Sequence, residues 1–244
     1  MNTVPPRPVW RSALLACLAV TLLLGGVWAY ARLKSPFPFY GTVYTPVTAA
    51  PALVGTGENG KAFSLSDLRG TTVAVFFGFL HCPNVCPTTL ASLERVRQAL
   101  PPRDRENFRT VLVTLDPARD DVQKLREYLT FFSPGAKGVF IPEPSLADTA
   151  AAWGVGYQKA DVKSPADYQV NHTTGVYLID REGRRRVVWD YTQLTNVNRV
   201  VADVRENTIR RRSTSGTDSS SRTRTASCKT RAAWSRSRRV RNRS

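Results

Sequence analysis

Phe76-Phe77-Gly78-Phe79-Leu80-His81-Cys82-Pro83-Asn84-Val85-Cys86-Pro87-Thr88-Thr89 decides how the rest of this chain is read. Residues 73–79 form an almost unbroken run of apolar, β-branched and aromatic side chains. That is the pattern of a strand covered on both faces, as at the centre of a parallel sheet. Two cysteines four positions apart follow, just before a helical pattern. Cys86-Pro87 has the form of a helix start, with proline in the first turn where its missing N–H costs nothing, and the free amides of such a turn favour a thiolate. The stretch predicts a strand, a reactive loop and a helix N-terminus, with both sulfurs able to face one ligand.

Downstream, Leu90, Leu93, Val96 and Leu100 recur at helical spacing until Pro101-Pro102 ends the element. Residues 108–115 read as a second apolar strand, followed by Asp116-Pro117-Ala118-Arg119-Asp120-Asp121. Asp120 or Asp121 suits the cap of a helix whose face is Val122, Leu125, Tyr128, Leu129 and Phe132. A short strand over 137–141 and a short helix over 146–153 continue the alternation. Residues 175–179 and 185–189 flank the turn Asp180-Arg181-Glu182-Gly183, a hairpin signal, and Leu194, Val197, Val200, Val201 and Val204 mark a last helix. Upstream, the turn-rich residues 53–66 include a short strand near 61–65. The whole predicts an α/β domain over 53–207, a thioredoxin-like mixed sheet flanked by helices, with an antiparallel hairpin closing one side.

The ends have a different character. Residues 13–31 are nineteen positions without a charge, about 28 Å of helix against a hydrocarbon thickness of roughly 30 Å. The segment is apolar all round, with Trp10, Trp28 and Tyr30 near its ends as interfacial anchors, so residues 1–34 read as an N-terminal segment with a transmembrane helix. A cleaved signal peptide is the rival, because Arg7 and Arg11 precede the run and Ala29-Tyr30-Ala31 has a small-x-small form. Either reading exports the domain. Residues 35–52, with four prolines, read as an extended linker.

The net charge of +16 suggests nucleic acid until it is located. Residues 210–244 carry twelve Arg plus Lys and one Asp, a net of +11, which leaves +5 for the other 209 residues. The same stretch holds nine Ser and five Thr and almost no apolar side chain, so residues 208–244 are expected to be a disordered Arg/Ser-rich tail. Nucleic acid is therefore not an expected partner. Of the four cysteines, Cys17 falls in the anchor and Cys228 in the tail. Cys82 and Cys86 are the pair left for the domain, which is no disulfide scaffold.

The three-residue spacing of that pair is neither a Cys-x-x-Cys redox motif nor half of a structural zinc site. His172 adds weight to it. It lies in the polar segment Tyr168-Gln169-Val170-Asn171-His172-Thr173-Thr174 before a strand, where loops at one end of a sheet converge. Two thiolates and one imidazole form a soft set suited to Cu(I). His81 would project away from a metal faced by Cys82, so it reads as a supporting or surface group. Asp116, Arg119 and Asp120 form a charged cluster that can orient the reactive loop, although helix capping and an ion pair account for them almost as well.

At these residues the chain resembles the Sco/SenC family of copper proteins. The likeness rests on Cys82-Pro83-Asn84-Val85-Cys86-Pro87-Thr88-Thr89-Leu90 with Phe77-Gly78-Phe79 before it, on Asp116-Pro117-Ala118-Arg119-Asp120, and on His172 followed by Tyr177-Leu178-Ile179. The resemblance implies a thioredoxin-like domain tethered outside the cytosol. It implies copper, as Cu(I) and in a further state Cu(II), held by Cys82, Cys86 and His172. It also implies delivery to the dinuclear centre of cytochrome c oxidase subunit II, with other copper carriers and thiol reductants as further partners. The expected location is the cell membrane, single-pass, with the N-terminus inside; the mitochondrial inner membrane is the less favoured alternative. Asn84 and Asn171 stand where the family usually has aspartates beside its ligands, so two neighbouring charges are absent. Two enzymatic readings stay open: a thiol-disulfide oxidoreductase acting on oxidase cysteines, which needs no His172, and a peroxiredoxin-like peroxidase. Val85-Cys86-Pro87-Thr88 suits the latter, but Pro83 stands where its hydroxyl residue would be.

Overall fold

The computed structural model describes residues 9–34 and 38–215. Helix α1 (Val9–Lys34) comes first, then strands β1 (Thr42–Val43), β2 (Val54–Gly57), β3 (Ala62–Ser64) and β4 (Thr72–Gly78). Helices α2 (Val85–Ala99) and α3 (Pro102–Glu106) lead to β5 (Phe108–Thr114), α4 (Val122–Phe132), β6 (Lys137–Phe140) and α5 (Ser145–Trp153). Strands β7 (Tyr157–Ala160), β8 (Gln169–His172), β9 (Val176–Ile179) and β10 (Arg185–Trp189) precede α6 (Val197–Ser215). The chain divides into units at Thr208, and of the second unit only the helical backbone of residues 209–215 is described. Most of the expected tail, like residues 1–8 and 35–37, lies outside the described residues.

Eight strands form one sheet in the order β1-β10-β9-β4-β5-β6-β2-β3. β4, β5 and β6 run parallel, while β9 lies antiparallel to β4 and β10 antiparallel to β9. The mixed, thioredoxin-like sheet expected from the alternation is therefore present. Every residue of β4 is buried because both its faces are covered. Ala74 and Phe76 join the cluster that contains Leu90 and Leu93 of α2, Leu125 and Leu129 of α4, and Val200 and Val204 of α6. Val73, Val75 and Phe77 point the other way, into the cluster with Leu146, Ala150 and Trp153 of α5. Each large apolar side chain of β4 withdrawn from water contributes about 1.5–3 kcal/mol to that packing.

The polar segments depart most from the sequence reading. His172, expected in a loop, ends β8, which pairs with β7 in a small sheet of its own. Pro102 does not only end a helix; it opens α3 as a first-turn proline. The described part of the arm before the domain is docked. Thr42 and Val43 pair with Val188 and Val187, and Ala49 bridges to Arg184. The backbone N–H groups of Tyr40 and Gly41 donate to the carboxylate of Asp203 at 2.9 and 3.1 Å, and the indole N–H of Trp189 donates to it at 2.9 Å. A carboxylate buried in this way is sustained by those three donors.

α1 is long and apolar enough over Ala13–Tyr30 to cross a membrane, and none of that span is buried against the rest of the chain. Leu15, Leu22, Leu23 and Trp28 are all exposed along it, which in water would be an apolar surface without a partner.

Candidate metal centre

The two cysteines sit where β4 runs out. After Gly78 the chain turns, held by the Cys82 N–H donating to the Phe79 carbonyl at 3.3 Å and the Leu80 N–H donating to Asp120 Oδ2 at 3.1 Å. α2 then begins, and its N-cap residue Asn84 makes no side-chain cap hydrogen bond, so the first-turn amides are open to another acceptor. That acceptor is sulfur: the Cys86 N–H points at Cys82 Sγ, 3.4 Å away. Gly78 makes room for the second sulfur. A Cβ at this position would stand 3.0 Å from Cys86 Sγ and 2.9 Å from the ring of Phe76.

His172 reaches the same place from the far side of the sheet end. Its Nε2 lies 3.9 Å from Cys86 Sγ, and its ring meets Phe79 edge-on at a centroid distance of 5.8 Å. Nδ1 is 2.9 Å from the Thr173 carbonyl oxygen. A carbonyl only accepts, so Nδ1 donates in this contact, which turns Nε2 toward the sulfur. A ring nitrogen fixed through its partner nitrogen is the usual arrangement of a ligating histidine.

The two thiols are unequal. Cys82 is half-buried and its thiol is pushed down to about 5, first by the hydrogen bond from the Cys86 thiol, against the cost of burial, and then by the amides of Cys86, Asn84 and Val85. Cys86 is fully buried, and the same hydrogen bond, reinforced by burial and by the Cys82 charge, pushes its thiol strongly up. Without metal the pair thus holds one proton between a thiolate on Cys82 and a thiol on Cys86. Two sulfurs and an imidazole brought together offer donors for a soft cation, and the pair of cysteines is equally a dithiol able to close a disulfide.

The charged cluster lies beneath both halves of this arrangement. Asp120 accepts from Thr114 Oγ1 at 2.5 Å and from Leu80 N–H, so it fastens the cysteine loop. Asp116 accepts from Arg119 Nε at 2.6 Å and from the Tyr168 hydroxyl at 2.6 Å. Arg119 in turn donates to the Tyr168 carbonyl at 2.9 Å and lies over the Tyr168 ring, four residues ahead of His172. The loop between β5 and α4 therefore holds the approaches to Cys82 and to His172 together. His81, Asp116 and Asp120 also bring candidate ligand atoms within 4.8 Å of one another, and His81 Nδ1 is 3.4 Å from Asp120 Oδ1. Asp116 already faces Arg119, so a cation here would compete with a guanidinium. Thr114 and Tyr168 escaped the sequence reading. Tyr168 carried a signal, an aromatic residue at the head of the polar segment; Thr114, inside an apolar strand, carried none.

The two asparagines are on the surface. Asn84 accepts from Thr88 Oγ1 at 3.3 Å, and Asn171 is exposed in β8, opposite Gln158.

Paired cysteines at the end of a central strand, with a histidine brought in from a distant strand, define a thioredoxin-like thiol protein. Residues 50–208 match the SCO1/SenC family, and the chain belongs to it. The human protein SCO2 homolog, mitochondrial, is 33% identical over 191 residues, covering 73% of this chain and 69% of that protein. Yeast protein SCO2, mitochondrial, is 32% identical over 176 residues, covering 69% of this chain but only 58% of its own length. Among solved structures, apo Sco1 of Thermus thermophilus superposes with a TM-score of 0.63 at 33% identity, covering 69% of this chain and 96% of that one. Bradyrhizobium japonicum ScoI with copper bound gives a TM-score of 0.59 at 29% identity, covering 66% and 99%.

Proposed function

We propose that this chain is a membrane-anchored copper chaperone that takes Cu(I) on Cys82 Sγ, Cys86 Sγ and His172 Nε2. It passes the ion to the cysteines of cytochrome c oxidase subunit II during assembly. The observation that carries the reading is the convergence of the Cys86 sulfur and His172 Nε2 at 3.9 Å, beside the Cys82 sulfur. The copper held by the Bradyrhizobium relative supports it. Copper is cargo here, and no substrate turnover is required. Loading expels the proton held between the sulfurs, so affinity for Cu(I) falls as pH falls. The domain lies outside the cytosol in this reading, with the short N-terminal segment inside and the membrane being the cell membrane.

Copper stoichiometry on the reduced domain tests the assignment ligand by ligand. One Cu(I) per chain is expected for the unaltered protein, with loss of tight binding in Cys82→Ser and Cys86→Ser and weakened binding in His172→Ala. Unchanged tight binding by Cys86→Ser would sink the ligand set.

A thiol-disulfide exchange role on oxidase cysteines is the second reading, favoured by the low pKa of the half-exposed Cys82 beside a buried partner thiol. It has no use for His172. Oxidase assembly that survives His172→Ala at full level would support exchange over metal transfer.

A further inference from the structure

The arm between the membrane helix and the domain docks at one particular end of the sheet. β4 runs toward the cysteines, and Phe76 near its end lies opposite Val176 at the start of β9. Val176 is paired in turn with Trp189 at the end of β10. Thr42 follows opposite Val188, so Tyr40 and Gly41 stand level with or beyond Trp189, at the end of the sheet that carries Cys82, Cys86 and His172. Asp203 pins them there through both backbone N–H groups, Gln193 Nε2 donates to the Tyr40 carbonyl at 3.1 Å, and Arg199 covers the Tyr40 ring.

Two lengths follow. From β1 to β4 there are three strand spacings, so the docking point is about 14 Å across the sheet from the strand that delivers the cysteines. Five residues separate Lys34, the last of α1, from Tyr40, and that leash spans at most about 20 Å even when fully extended. Had the whole of residues 35–52 been free, the reach would have been roughly three times greater.

We propose that this short leash, fixed at the site-bearing end of the sheet, keeps that end turned toward the bilayer. The partner that exchanges metal with Cys82, Cys86 and His172 is then a membrane-held protein whose acceptor group lies at the membrane surface, not a carrier met far from the bilayer. The inference rests on the anchor and metal-site readings above and adds an orientation to them.

Energy transfer to the bilayer tests it. The full chain, with Cys17, Cys82, Cys86 and Cys228 changed to Ser, receives one new cysteine for a donor dye and is placed in phosphatidylcholine nanodiscs bearing a headgroup acceptor. Asn84→Cys labels the site-bearing end, and Asp67→Cys labels the opposite end, where β4 begins. Transfer is expected to be at least twofold more efficient from position 84. Insertion of twelve Gly/Ser residues after Lys34 is expected to bring the two values together. Equal transfer, or the greater transfer from position 67, with the native leash would overturn the orientation. The same dye on Cys82 of a chain lacking only Cys17 and Cys228 repeats the measurement with Cys86 intact. Failure of the full chain to float with vesicles would overturn anchor and orientation together. A chain with its native cysteines that floats but binds no Cu(I) would remove the metal reading and leave the orientation standing.

Discussion

At the scale of single residues, the inequality of Cys82 and Cys86 is the property most open to measurement. The Cys82 thiol is depressed, so its thiolate is present above about pH 5 and is lost as pH falls through that value. Alkylation of the reduced, metal-free domain by iodoacetamide should therefore modify Cys82 at neutral pH with a midpoint near 5, while buried Cys86 stays unmodified until the domain unfolds. Replacing Cys86 by Ala removes the largest cause of the depression, so the midpoint should move upward by one unit or more; an unmoved midpoint would contradict the hydrogen bond between the sulfurs. Gly78→Ala forces a methyl group against Cys86 Sγ and Phe76, with an expected loss of about 1–3 kcal/mol in urea unfolding and a displaced sulfur. The residues most legible in the sequence were those whose type is chemically rare, Cys82, Cys86 and His172. Thr114 and Asp203 were illegible for the opposite reason. Each is a polar group inside an apolar stripe, and only the folded structure shows which donors and acceptors it meets. Asp203 did leave a trace, since it stands three positions after Val200 on what is otherwise a buried helical face.

Among the elements, the loop joining β5 to α4 does the positioning. Tyr168→Phe keeps the ring beneath Arg119 but withdraws the hydroxyl from Asp116 Oδ1. The expected cost is about 1–2 kcal/mol of stability, together with weaker retention of Cu(I), measured by competition with a chromophoric chelator. A loss of stability with copper retention unchanged would limit Tyr168 to a structural part. Asp203→Ala leaves three N–H donors without their acceptor. It should lower stability by at least about 3 kcal/mol and expose the arm near Tyr40 to proteases. The central strands were legible because burial on both faces writes continuous apolar runs. The β7–β8 hairpin was not, since its exposed residues Gln158, Lys159 and Asn171 give no such run. β1 was hidden by its length, two residues inside a proline-rich arm, too short for any period to register.

For the whole molecule, the reading links an apolar helix, a thioredoxin-like domain and a captured ion. Cu(I) bound to the folded state alone raises stability by mass action, about 4 kcal/mol at a thousandfold excess over Kd. Thermal unfolding under a reductant should thus show a rise in Tm on adding Cu(I), absent in Cys82→Ser. The Arg/Ser-rich residues at the C-terminus explain most of the net charge of +16 and none of this chemistry, so a chain ending at Thr208 should keep its copper stoichiometry.

The position of β9 has a consequence in time. This strand lies between β10 and β4 in the sheet, and it follows His172 almost directly, yet it is made about a hundred residues after β4. A chain emerging from synthesis or export presents both thiols long before the imidazole arrives, and closing so long a loop is slow. A domain that has not seated β9 holds the two cysteines without His172 beside them. The convergence of Cys82, Cys86 and His172 thus waits on a pairing between strands far apart in the chain, and is among the last local arrangements the fold makes.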